Sequence, residues 1–204
     1  MTASGSDLRR LIDRARRDEP GALDRLLDSY RNYLRLLART GVDASLQGKA
    51  DASDLVQEAL LKASQNFGQF RGATDAELAG WLRQILANQL LQATRAFTAA
   101  GRDVGRERSL EAALENASAR LERWLSAEQS SPGLIVQRQE QLARLAEALA
   151  QLPEDQRTAV ELHHLQGVRV AELARQMGRS GPAVTNLLYR ALKRLRELLA
   201  QDEE

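Results

Sequence analysis

At 204 residues, with 43% hydrophobic but only 4% aromatic content, the chain is long enough for one domain or two small ones built from Leu- and Ala-rich helices. The absence of cysteine excludes a disulfide framework and every thiolate metal site. The net charge of +1 conceals a gradient: 14 basic against 12 acidic residues in 1–97, 8 against 11 in 98–168, and 7 against 2 in 169–200, a localised basic segment suited to targeted contact with a polyanion. Strand-like alternation of β-branched residues is absent, so an all-α fold is expected. No apolar run reaches the length of a membrane span, and the Met1 to Asp7 start lacks a secretory apolar core. The expectation is a soluble, cytoplasmic chain without membrane insertion.

In chain order, a charged amphipathic helix is predicted over 7–17, stopped at Pro20 and Gly21. A second helix is predicted over 22–39, with Leu23, Leu26, Leu27, Tyr30, Leu34 and Leu37 as its apolar positions and Gly41 at its end. A polar loop over 42–51 leads to a third helix over 52–66. There Val56, Ala59, Leu60, Ala63 and Phe67 make one stripe. Asp54, Gln57, Glu58 and Lys62 project from the far side, with Leu55 and Leu61 among them off the stripe. Periodicity alone leaves that face open between a partner surface and a solvated helix. After Phe67 to Gly72 a fourth helix is predicted over 75–97.

Residues 98–133 read as a linker that contains a helix, because Leu110, Leu114, Ala117, Leu121, Trp124 and Leu125 keep a helical period between loop-like ends. Four more helices follow, over 134–151, 154–165 and a final pair. In the first of the pair Val170, Leu173, Ala174 and Met177 share one face. Gly178 supplies the positive φ of a helix end, and Ser180 and Pro182 suit the start of the next helix. In that helix Val184, Leu187, Leu188, Ala191, Leu192 and Leu195 form the buried stripe, and Arg and Lys crowd the rest. This is the logic of a helix-turn-helix whose second helix is free to enter a major groove. His163 and His164, the only histidines, are adjacent and project about 100° apart on a helix. They read as helix-end surface residues, and no metal or cofactor is expected.

The run Asp54-Leu-Val-Gln-Glu58, then Phe67 to Gly72, then Trp81 to Asn88, closely resembles conserved region 2 of the sigma-70 family of bacterial RNA polymerase sigma factors. Residues 152–195 resemble region 4, which carries the family's helix-turn-helix. A short chain with only these regions resembles the extracytoplasmic function class, and the long helical linker with the Gly178-Arg179-Ser180 turn resembles its planctomycete-type subgroup. The resemblance spans about 20–200. It implies two small helical domains, 1–97 and 134–204, joined by the partly helical linker 98–133.

It also implies roles. Asp54, Leu55, Gln57, Glu58 and Leu61 are expected to touch the β′ clamp helices of core polymerase, with Val56 mainly core. The β flap is a further expected contact on the polymerase core. Phe70, Arg71, Trp81, Arg83, Asn88 and Gln92 are candidates for the −10 promoter element as its strands part, with Trp81 open between core and base contact and Phe67 and Phe97 assigned to packing. Arg179, Ser180, Ala183, Thr185, Asn186, Arg190 and Lys193 are candidates for the −35 duplex. Among them Asn186 suits adenine and Thr185 or Ala183 a thymine methyl, while Arg190 and Lys193 suit phosphates. Many family members carry basic residues where this chain has Thr185 and Leu187, so fewer charged contacts are expected in the groove.

The expected function is therefore a transcription initiation factor that binds core polymerase, directs it to promoters and assists melting. The competing reading is a helix-turn-helix regulator that acts on duplex DNA without joining the polymerase. An enzyme is not expected: there is no phosphate-binding glycine loop and no nucleophile motif, and the adjacent Glu154 and Asp155 suit a helix start. An anti-sigma protein is a further partner that the resemblance raises. The linker helix can brace the two domains or thread the polymerase, and the sequence leaves both open.

Overall fold

The structure, a computed structural model, describes residues 5–41, 51–97, 104–128 and 138–201. All regular structure in these residues is helical, as the composition predicts. Helix α1 (Gly5–Arg16) buries Leu8, Ile12 and Ala15. It ends where Asp18 and Gly21 take positive φ and where Glu19 holds both Arg14 and Arg17.

The helix predicted over 22–39 is two helices, α2 (Ala22–Asp28) and α3 (Arg31–Gly41). Ser29 Oγ donates to Leu26 O at 2.7 Å, and Tyr30 N turns back to Leu27 O at 3.2 Å. A serine that satisfies the backbone locally competes with the helical ladder. The apolar spacing runs through the break unaltered, which is why periodicity does not reveal it.

Helix α4 (Ala52–Asn66) has the predicted bounds and is capped by Asp51, whose carboxylate accepts from Ser53 N at 2.8 Å. One 3-10 turn (Phe67–Gln69) and a short loop lead to α5 (Asp75–Phe97). Thr74 and Glu77 form a reciprocal capping box there: Glu77 N donates to Thr74 Oγ1, and Glu77 Oε2 accepts from Thr74 N at 2.9 Å. The Phe97 side chain lies outside the described residues.

The linker contains α6 (Val104–Glu128), which packs along α3 and α5 and against the first helix of the C-terminal segment, α7 (Arg138–Ala150). Leu110, Leu114, Ala117 and Leu121 carry that contact. The linker helix thus touches helices on both sides of it in the chain. Helix α8 (Glu154–Val160) widens into a π-helical turn (Glu161–Leu165) before Gly167 at φ +75°. The last pair is α9 (Val170–Gln176) and α10 (Gly181–Gln201), joined through Gly178 at φ +61°. Ala183 N donates to Ser180 Oγ at 3.4 Å, the cap expected of that serine.

Candidate partner and nucleic-acid interfaces

Helix α4 presents the candidate partner face. Asp54, Gln57, Glu58 and Lys62 are exposed, and Leu61 stands out with 58% of its surface in solvent. Large apolar side chains standing in solvent inside a polar rim are the usual anchors of an interface. Leu61 also lines a surface groove with Leu27, Asp28, Arg31, Gln57 and Leu60. Leu55 departs from expectation. It is only 8% exposed and belongs to the core with Val56. Packing by α3, which lies against α4, widens the buried stripe to include it.

The second group surrounds the loop before α5. Arg71 is exposed, and its guanidinium donates to Gly68 O at 2.7 Å. Gln92 is exposed and Asn88 half-buried. Phe70 is 5% exposed and part of the core, with its ring 5.3 Å from Trp81 and 5.9 Å from Phe67. Trp81, half-buried, closes this aromatic trio and packs against the core while part of it stays accessible. Arg83 also differs. Expected off the buried stripe, it is half-buried and donates to the Tyr33 hydroxyl at 3.0 Å. That hydroxyl lies 2.9 Å from Ser118 Oγ in α6, a partner that no local spacing signals.

The third group lies on α10 and the turn before it. Arg179, Ser180, Ala183, Thr185, Asn186, Arg190 and Lys193 are all exposed. Arg179 pairs with Asp155 at 3.1 Å, tying the turn to the start of α8. Thr185 Oγ1 donates back to Gly181 O at 3.1 Å, which leaves its methyl outward. Leu187 is 1% exposed and belongs to the core, so of the two positions only Thr185 faces solvent. Tyr189, 67% exposed on the same face, was not singled out from the sequence. Its signal was an aromatic residue outside the apolar stripe, one helical turn beyond Thr185.

Between the groups lies a polar seam. Glu161, almost fully buried in the π-helical turn, sits 3.1 Å from Arg39 and 4.0 Å from Arg157. Burial pushes its carboxyl above the usual range, and the two guanidiniums pull the other way. Asn32 donates to Glu147, and Gln166 Nε2 donates to Arg39 O at 3.3 Å. The histidines are not plain surface residues. Both are half-buried, His163 Nδ1 lies 2.7 Å from Val168 O, and His164 stacks on Trp124 with ring centroids 5.4 Å apart. Among the described residues, no group of three or more His, Asp or Glu side chains has the placement of a metal site. No helix among them is long and apolar enough to cross a membrane.

Comparison with known proteins gives two family matches: Sigma-70 region 2 over residues 26–98, and Sigma-70, region 4 over residues 142–195. ECF RNA polymerase sigma factor BldN of Streptomyces coelicolor is 30% identical over 194 residues, 94% of this chain and 66% of that protein. ECF RNA polymerase sigma factor SigM of Mycobacterium tuberculosis is 32% identical over 87% of this chain and 77% of its own length. RNA polymerase sigma-H factor of Pseudomonas aeruginosa is 30% identical over 89% of this chain and 88% of its own. A solved RsbN-BldN complex aligns at 27% identity over 92% of this chain and 98% of the other, with a TM-score of 0.33.

Proposed function

From the premise that the chain belongs to the sigma-70 family of RNA polymerase sigma factors, and to its ECF class, we propose how its surfaces divide the work of promoter-specific initiation. Residues 1–97 form the unit for core polymerase and the −10 element, 134–204 the unit for the −35 element, and 98–133 the brace between them. Asp54, Gln57, Glu58 and Leu61 dock on the β′ clamp helices, with Leu55 supporting them from beneath. Arg71, Asn88 and Gln92 hold the separated −10 strand beside the accessible edge of Trp81, and Arg83 joins them once released from Tyr33. Arg179, Ser180, Ala183, Thr185 and Asn186 meet base edges of the −35 duplex, and Arg190 and Lys193 meet phosphates.

The observation that carries this reading is the order of two family regions along one chain, each presenting an exposed polar face where the role requires it. The work is done by binding, without catalysis by this chain, in the cytoplasm beside the polymerase. The long α6 and the Gly178-Arg179-Ser180 turn support the planctomycete-type subgroup. The β flap and an anti-sigma protein complete the proposed partners. Run-off transcription with core polymerase on a randomised promoter library tests the whole. The expected result is a set of initiating promoters sharing two elements at fixed spacing. Duplex binding without initiation would instead establish the separate-regulator reading.

A further inference from the structure

Helix α1 lies outside the residues matched by the region 2 family model, which begin at residue 26, yet it reaches the loop between α4 and α5. The Arg16 guanidinium donates to Gly72 O, and its Cζ stands 5.7 Å over the Phe70 ring. The loop it meets is tightly built. A Cβ at Gly72 would stand 2.6 Å from both the Phe70 ring and Glu77 Cβ, so the backbone runs too close there for any side chain. Glu77 Oε2 accepts from Ala73 N at 2.8 Å and from the Thr74 hydroxyl at 2.8 Å, fixing the far end. Between the two anchors Arg71 is exposed, its guanidinium held to Gly68 O at 2.7 Å.

We propose that Arg16 is a positioning residue for promoter opening: it locks the Phe70–Gly72 backbone so that Arg71 is presented in advance to the parting −10 strand. The inference rests on the assignment of this loop to the −10 element. A preorganised reader loses less conformational freedom when it captures a strand than a mobile one does. Arg16 acts through the loop and does not itself touch DNA. Because the side chain is itself exposed and covers only one face of Phe70, its removal is expected to cost little stability.

The test uses the full chain assembled with core polymerase. Rates of open-complex formation are measured for Arg16→Ala, Arg71→Ala, the double variant and Arg16→Lys, together with core affinity and thermal unfolding. Arg16→Ala is expected to slow opening about tenfold with core affinity unchanged and the unfolding midpoint lowered by no more than about 2 °C, and Arg16→Lys to recover most of the lost opening rate. In the Arg71→Ala background the Arg16→Ala effect is expected to shrink to within about twofold, because both act on one element. Equal effects of Arg16→Ala in both backgrounds, with a shallower salt dependence, would make Arg16 a direct phosphate contact and overturn the inference. Normal opening by Arg16→Ala while Arg71→Ala is impaired overturns the inference and leaves the loop assignment standing. Normal opening by Arg71→Ala overturns the loop assignment itself.

Discussion

Tyr33 on α3 meets Ser118 on α6 through a buried contact of 2.9 Å between their hydroxyls. Arg83 on α5 donates to the same Tyr33 oxygen at 3.0 Å, and either hydroxyl can donate in the Tyr33–Ser118 contact. Three helices thus share one polar node, and the linker helix reaches a candidate −10 residue through a single side chain.

Removing this node should cost stability because each deletion strands a buried partner. Ser118→Ala is expected to lower unfolding free energy by about 1–2 kcal/mol, and Tyr33→Phe by about 2–3 kcal/mol. Urea denaturation of the two single variants and the double checks it. The double variant should cost less than the sum of the singles. A neutral Ser118→Ala would show that α6 is held by its leucines alone.

The buried Glu161 gives a pH dependence with a defined sign. Its carboxyl titrates above the ordinary value of 4.5 in the folded chain, chiefly through burial, with Arg39 and Arg157 opposing. Between the two values the folded state holds more proton than the unfolded state. Its contribution to stability is therefore largest below the unfolded value and declines as pH rises through the folded one. Glu19 and Glu77, both lowered by hydrogen bonds, run the opposite way, and they are common to wild type and variant. Glu161→Gln should remove the declining component, so that its stability gains on wild type as pH rises above 4.5 and through the raised folded value. Parallel pH profiles for the two proteins would contradict this.

Leu55 and Leu61 separate support from contact. Leu55→Ala should cost about 2–4 kcal/mol of folding stability, as truncation in a packed core does. Leu61→Ala should leave stability within about 0.5 kcal/mol yet weaken core polymerase binding by about 1–2 kcal/mol. Chemical denaturation and a polymerase titration read the two effects. Unchanged polymerase affinity for Leu61→Ala would remove Leu61 from the interface.

On the recognition helix, Asn186→Ala should cost about 1–3 kcal/mol on the preferred −35 sequence and relax discrimination at one base position. Lys193→Ala should weaken binding similarly on every sequence and lower the salt slope by about 1. Holoenzyme binding to a panel of single-base −35 variants at several salt concentrations distinguishes them. Sequence-selective loss from Lys193→Ala would reverse the assignment of the two residues.

Local pattern made α4, α5 and the helix-turn-helix legible, because their apolar stripes, and at α10 the Ser180 cap, are written within a few turns. What escaped was set by residues far apart in the chain. Leu55 is buried by α3, Phe70 is covered by Arg16 and Trp81, and Arg83 is drawn inward by Tyr33. The break at Ser29 left no trace in the apolar spacing, and the π-helical turn that buries Glu161 left none in the residues around His163 and His164. Single-helix projection assigns each residue one inner and one outer face. It has no term for a third helix arriving from elsewhere.

The central claim, that one chain joins polymerase to promoter through separate surfaces, is tested most directly by reconstituted run-off transcription with Asp54→Ala/Glu58→Ala beside wild type. Both residues are exposed, so the fold should persist. The account predicts at least about tenfold less transcript from the double variant, with affinity for the isolated −35 duplex unchanged. Transcript at the wild-type level would contradict it.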